Sequence, residues 1–254
     1  MSDAYILSEM TWPEMKEALS KIELAIVPIG AFEQHGPFMT FPVDSERANG
    51  FGKILAQRLY PRVVLAPSIN FGISHHHLNF PGTITLRHET FHSVIYDVVW
   101  SLLQHGIKQF FLVNGHGGNN PSLEVMIVRL RHELGVKVAV AQISAMGSEV
   151  TKNRPAGLGG HCGEGETSQA MYLAPHVVRP ERIVPGAIKA PPYKHLSKNS
   201  GINFPSNWDE LTANGGLGNA TEASSELGRQ IIDSALKTAS EFLVDFMDKN
   251  AQAK

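Results

Sequence analysis

Glu33 and His35 stand two residues apart in Pro28-Ile29-Gly30-Ala31-Phe32-Glu33-Gln34-His35-Gly36-Pro37, a spacing that puts both side chains on one side of an extended segment. Asp44 follows nine residues after His35. His116 lies in Asn114-Gly115-His116-Gly117-Gly118-Asn119-Asn120, where the flanking glycines remove side chains that would shield the imidazole. A third glycine-rich segment, Gly159 to Ser168, holds His161, Glu164 and Glu166. Carboxylates and imidazoles converging from separate loops are what a divalent ion such as zinc, manganese or iron requires, typically at about 2.0–2.3 Å. A carboxylate such as Asp44 can also bridge two ions, one oxygen to each, across about 3.5–4 Å. Singly, each residue has a plainer role. Asp44 is a favoured helix cap, Glu33 and His35 can be a hydrogen-bonded loop pair, and Glu166 suits the first turn of a helix. Three such loops in one chain favour a shared centre.

These loops need a frame that brings them together. Compact apolar runs at 23–29, 63–66, 109–113 and 136–143 read as buried strands. Between them lie helical patterns at 45–59, at 88–103 closed by Gly106, and at 121–134 with Asn120 as cap and Gly135 as stop. A capping box at Thr11-Trp12-Pro13-Glu14 opens an earlier helix, a short helix runs through Met171, and an amphipathic helix spans 221–249. Alternating strand and helix predicts one α/β domain over 1–254, three layers deep, with a mostly parallel sheet. Ligands in that architecture sit beyond the carboxyl ends of strands, where the Glu33 and His116 segments fall. The stretches 147–165 and 175–219 are expected to be irregular and to wall the pocket.

Composition narrows the partner. With 22 basic and 24 acidic residues interspersed along 254, the net charge is −2, which leaves no footprint for nucleic acid or an anionic membrane. The apolar runs fall far short of the roughly 20 residues of a membrane span. The lone Cys162 excludes an internal disulfide, so a cytoplasmic protein acting on a small molecule is expected. Cys162 beside His161 does not make a thiol nucleophile, because adjacent residues rarely align a thiol with its base. In His75-His76-His77 an extended chain would let at most His75 and His77 share a side, leaving His75 and His76 to the surface or to packing.

Together, Glu33-Gln34-His35-Gly36 with Asp44, Asn114 to Asn119, Gly160 to Ser168, and Phe80-Pro81-Gly82-Thr83 preceded by His77 resemble the creatininase family, in the family's order from about Ile26 to Ala174. The resemblance implies a three-layer α/β/α fold, ligation of one or two divalent ions (Zn, Mn or Fe) by Glu33, His35, Asp44 and His116, and homo-oligomers, possibly hexamers. It also implies metal-dependent hydrolysis of a small or cyclic amide. Branches of the family that open keto-cyclitol rings, or a catalytically silent ligand-binding member, are the alternatives. His77, Gly117 and Gly118 are expected to bind substrate. Creatininase proper carries a glutamate ligand where this chain has Gly118, and Glu164 is expected to replace it. His161 is expected to protonate the leaving group, with Glu166 orienting it. Creatininase also encloses its substrate with tryptophans that have no counterpart in 147–160, which points away from creatinine itself.

Overall fold

The structure, a computed structural model, describes residues 3–155, 158–190, 193, 202 and 204–248. Five strands, β1 (Tyr5–Ile6), β2 (Leu24–Ile29), β3 (Val63–Leu65), β4 (Gln109–Asn114) and β5 (Lys137–Gln142), form one parallel sheet in the order β1-β3-β2-β4-β5. β2 is central, with Ala25 opposite Val64 on one side and Phe110 on the other. Its six residues are all buried, as a strand covered on both faces requires.

Strand alternation sorts the core into two. Ala25, Val27, Phe110 and Leu112 face Phe91, Ile95 and Val99 of α3 (His88–Gln104) and Leu123, Met126 and Leu130 of α4 (Asn120–Leu134). Leu24, Ile26, Phe111 and Val113 face Phe51 and Leu55 of α2 (Val43–Arg58) and Ile232, Leu236 and Leu243 of α9 (Ser225–Asp248). The expected three-layer α/β/α arrangement is present, and each parallel crossover carries a helix onto one face. In α1 (Trp12–Ala18) the backbone N–H of Thr11 donates to Glu14 Oε2 at 2.6 Å, closing the helix start read from sequence.

Several boundaries differ from the sequence reading. β1 was not marked, since two residues at a sheet edge carry too little pattern. β5 stops at Gln142, and Ile143 opens α5 (Ile143–Met146). Asn119, not Asn120, sits at the start of α4, and its side chain bonds elsewhere instead of capping the helix. The stretches read as irregular contain α6 (Ser148–Thr151) and α8 (Trp208–Leu211), while α7 (Glu164–Leu173) is the helix expected through Met171. Residues 156–157, most of 191–203 and Lys249 fall outside the described residues. Among the described residues no helix is long and apolar enough to cross a membrane.

Close backbone contact fixes the loops at the strand ends. A Cβ at Gly115, just past β4, would lie 2.2 Å from the carbonyl oxygen of Asp44, so only glycine lets the start of α2 press against this exit. At the far end of α2's face, Gly228 of α9 meets α7 in the same way, since a Cβ there would lie 1.9 Å from Ser168 O. Gly228→Ala should therefore push the two helices apart and lower stability by about 1–3 kcal/mol. Urea unfolding followed by circular dichroism checks this, and an unchanged midpoint would show that the two helices are not held at that distance.

Candidate metal centre

Beyond the carboxyl ends of β2 and β4, Glu33, His35, Asp44 and His116 come together, all buried. Asp44, in the first turn of α2, faces both ways: Oδ1 lies 3.4 Å from His35 Nε2 and Oδ2 lies 3.3 Å from His116 Nδ1. Glu33 Oε2 is 3.2 Å from His116 Nε2 and accepts from the Ser74 hydroxyl at 2.6 Å. Backbone carbonyls orient the imidazoles. His35 Nδ1 contacts Glu33 O at 3.2 Å, His116 Nε2 contacts Ile73 O at 3.0 Å, and His161 Nε2 contacts Gln34 O at 2.9 Å. A carbonyl can only accept, so in each neutral ring the outer nitrogen holds the proton and the inner one offers a lone pair.

Three atoms of this cluster, Glu33 Oε1, His35 Nε2 and Asp44 Oδ2, are buried without a hydrogen-bond partner. Buried polar atoms normally find partners, and leaving one unmatched costs about 1–3 kcal/mol or more when charged. Two anionic oxygens and an imidazole nitrogen left open toward one another are the donors a divalent cation would complete, and Glu33, His35 and Asp44 are close enough to hold one. Without a cation, protons do that work. Burial opposes charge on His35, but Asp44, Glu166 and Glu33 raise its pKa to about 9. His116 is likewise raised well above its ordinary value, against the cost of burial, by Glu33 and Asp44. In return, burial would raise the Asp44 pKa, yet His35 and His116 hold it well below the usual carboxylate range.

The structure places the two candidate carboxylates of the third segment differently. A Cβ at Gly118 would lie 2.3 Å from His116 Nε2 and 2.6 Å from Ile73 O, so no carboxylate can reach the cluster from that position. Glu164 is engaged elsewhere: it lines the pocket and pairs with Arg154 through both oxygens. Glu166, two residues on in α7, is the one turned inward, with Oε2 3.9 Å from His35 Nε2 and 4.0 Å from His161 Nδ1. Its Oε2 also accepts from the Cys162 N–H at 2.8 Å. Glycine at 163 and 165 let the chain enter the helix here, and the turn of an α-helix separates residues two apart, which the sequence spacing left undecided.

Sequence reasoning missed Arg47 and Trp208. Arg47 is fully buried and spans two carboxylates, 3.0 Å from Asp44 Oδ1 and 2.9 Å from Glu166 Oε1, while donating to Gly115 O at 2.6 Å. An arginine three residues after Asp44 on a helix was the available signal. Trp208 of α8 stacks with His77 at 4.5 Å and lies 5.1 Å from His76 and 5.3 Å from His161. It reaches the centre from a segment with no readable pattern. His75 to His77 form a 3₁₀ turn instead of an extended run, which carries His76 as well as His77 to the site and leaves His75 outside, stacked on His88 at 5.9 Å.

Glu33, His116 and Glu166 line a pocket of about 940 Å³, together with His76, His77, Gly117, Gly118, His161 and Trp208 among others, while His35 and Asp44 are not part of its wall. Burial pushes His77 down to about 2 and His161 down to about 4, so both are neutral near pH 7. Burial also raises the Cys162 thiol well above its ordinary value, with Glu166 adding to it, which removes the thiolate a nucleophile would need.

A family model for creatinine amidohydrolase matches residues 8–243. The chain is 30% identical over 231 residues to a mycofactocin precursor peptide peptidase of Mycobacterium ulcerans (strain Agy99), covering 87% of this chain and 80% of that protein. It is 28% identical over 255 residues to a creatinine amidohydrolase of Pseudomonas putida, covering 92% and 94%. A zinc–zinc form of a mutant creatininase superposes with a TM-score of 0.77 at 25% identity, covering 97% of this chain and 99% of that one.

Two outcomes follow from the geometry. Asp44→Ala should lose bound zinc or manganese, whereas His75→Ala should keep it, and Glu166→Gln should lose more than Glu164→Gln; metal analysis after dialysis reads all four. Equal content across them would remove the assignment. Because His35 and His116 hold protons when no cation is present, loading at pH 7 should release roughly two protons per chain. Metal affinity should then rise with pH through the region near 9 where His35 gives up its proton. Calorimetry in buffers of different ionisation enthalpy measures the release.

Proposed function

Because this chain belongs to the creatininase family, whose members are hydrolases, we propose that it is a metal-dependent hydrolase of a small or cyclic amide. What carries the reading is the pair of unmatched carboxylate oxygens and the imidazole nitrogen, buried beside a pocket that Glu33 itself lines. Glu33, His35, Asp44, His116 and Glu166 would hold one or two divalent ions. A bound ion would lower the pKa of a water toward 7 and polarise a carbonyl oxygen. The two relatives support an amide as the bond broken, one being a peptidase and the other an amidohydrolase.

The chain's own residues divide the remaining work. His161 turns Nδ1 toward Glu33 Oε1 at 3.7 Å and Glu166 Oε2 at 4.0 Å while its Nε2 is tied to Gln34 O. In its resting neutral form it is therefore a proton acceptor. It would take the proton of the attacking water at Nδ1 and give that proton to the leaving nitrogen, so it becomes the acid only within the reaction. Arg47 steadies Asp44 and Glu166 so that their free oxygens keep facing inward. Trp208 and His76 would flank the substrate, and at Gly118 the main chain packs so closely on His116 that a side chain there would displace the imidazole.

The test is turnover by zinc- or manganese-loaded protein on a panel of cyclic amides, formamides and short peptides, read as amine released. His161→Ala should keep its metal and lose roughly two to four orders of magnitude in turnover on an amide with a poor leaving group. A metal-replete protein that releases no amine from any of the panel would sink the amidohydrolase reading and leave a binding role. Metal loss in His161→Ala would make His161 a ligand.

A further inference from the structure

His77 differs from the other imidazoles of the centre in what lies behind it. His35, His116 and His161 each turn their outer nitrogen to a backbone carbonyl. The outer nitrogen of His77, Nδ1, instead lies 2.8 Å from the side-chain amide nitrogen of Gln34. That amide cannot be the other way round, because its two ends are set by the main chain. Gln34 Oε1 accepts the Gly36 N–H at 2.9 Å, and Gln34 Nε2 donates to Gly215 O at 3.1 Å. An amide group donates only from nitrogen, so its second hydrogen points at His77 Nδ1, which must be bare. The Nε2 contact of His161 with the same amide, at 3.1 Å, needs no hydrogen from Gln34, since that ring already donates to Gln34 O.

A neutral imidazole with a bare Nδ1 carries its proton on Nε2. His77 Nε2 lies 3.3 Å from Glu33 Oε1, yet Glu33 Oε1 has no hydrogen-bond partner, so the alignment does not make a bond. The N–H thus points to the open side of the centre, with Trp208 stacked on the ring at 4.5 Å. Gln34 itself is buried and approached closely by Gly215, where a Cβ would lie 1.9 Å from Gln34 Oε1. The position is built for a long amide.

We infer that Gln34 is a positioning residue that holds His77 as an inward N–H donor of the centre, and that His77 is a catalytic residue that hydrogen-bonds the substrate carbonyl oxygen as negative charge gathers on it. The second half rests on the amidohydrolase reading; the first does not. Three inward lone pairs suit a cation and a proton acceptor, and one inward N–H suits an oxyanion. No bond of His77 is made or broken, and its proton stays on Nε2 throughout.

Long-range nitrogen–proton spectra of zinc-loaded, ¹⁵N-histidine-labelled protein test the first half, with the His77 signals assigned by their loss in His77→Gln. Expected is a protonated Nε2 and an unprotonated Nδ1. A protonated Nδ1, a doubly protonated ring or an averaged signal would overturn the inference, and this wild-type spectrum decides even if Gln34→Glu does not fold. In Gln34→Glu an acceptor replaces the donor, so the proton should move to Nδ1, which a residue that merely fills space would not cause. Acetohydroxamate, a small carbonyl probe for the loaded protein, tests the second half. Its affinity should fall about three- to tenfold in Gln34→Glu with zinc content unchanged, the worth of one hydrogen bond. An unchanged affinity despite a reversed tautomer would leave Gln34 its positioning role and remove the carbonyl from His77. Absence of amide turnover with the expected spectrum would count against the amidohydrolase reading and not against Gln34.

Discussion

Two carboxylates, Glu33 and Asp44, are taken wholly out of water beside each other, and most of the centre answers that fact. Burying one such charge costs several kcal/mol unless it is matched, and a like charge nearby adds to the cost. The protein supplies a partial match: the Ser74 hydroxyl on Glu33, the Arg47 guanidinium on Asp44, and the imidazoles of His35 and His116 between them. The match is left incomplete at the atoms facing the pocket. A fold that sets donors and positive charge around these groups, yet leaves Glu33 Oε1 and Asp44 Oδ2 unmatched, is arranged for a cation or protons at the centre.

Holding the open atoms apart requires rigidity in the loops, and two asparagines provide it. Asn119 accepts from Ile73 N at 2.8 Å and donates to Gly30 O at 3.0 Å and Asn114 Oδ1 at 3.1 Å, tying the exits of β2 and β4 to the loop that bears the histidine turn. Asn114 accepts from His116 N at 3.1 Å and donates to His116 O at 2.6 Å, which fixes the backbone that carries the imidazole. The ring orientations then follow from carbonyls that are themselves locked. The metal-facing geometry is thereby prepared before any ligand arrives, which is how such a centre avoids losing binding energy to reorganisation.

The frame was legible because its signals are local. Compact apolar runs, three of them bounded by glycine, marked four of the strands, and helix caps and stops marked the helices between them to within a residue or two. The four positions Glu33, His35, Asp44 and His116 were legible for another reason: carboxylates and imidazoles recur in short segments at the expected strand ends and at the helix start that follows the first of them. Glu164 and Glu166 share one short segment, and only the rotation of α7 decides which carboxylate faces the cluster and which faces Arg154. His76 was set aside on the period of an extended chain, and a 3₁₀ turn has a different period.

By itself, the sequence determined the layered α/β frame, the family, and a set of carboxylates and imidazoles bound for the strand ends, since these depend on residue type and short spacing. Tertiary structure alone decided that Arg47 spans two carboxylates, that Trp208 crosses from a distant segment to wall the pocket, and that Gln34 faces one imidazole with an N–H while carbonyls face the rest. Each of those depends on which atom of one loop meets which atom of another. Spacing along a chain carries no information about that, because the direction of a side chain is set by the packing of the elements on either side of it.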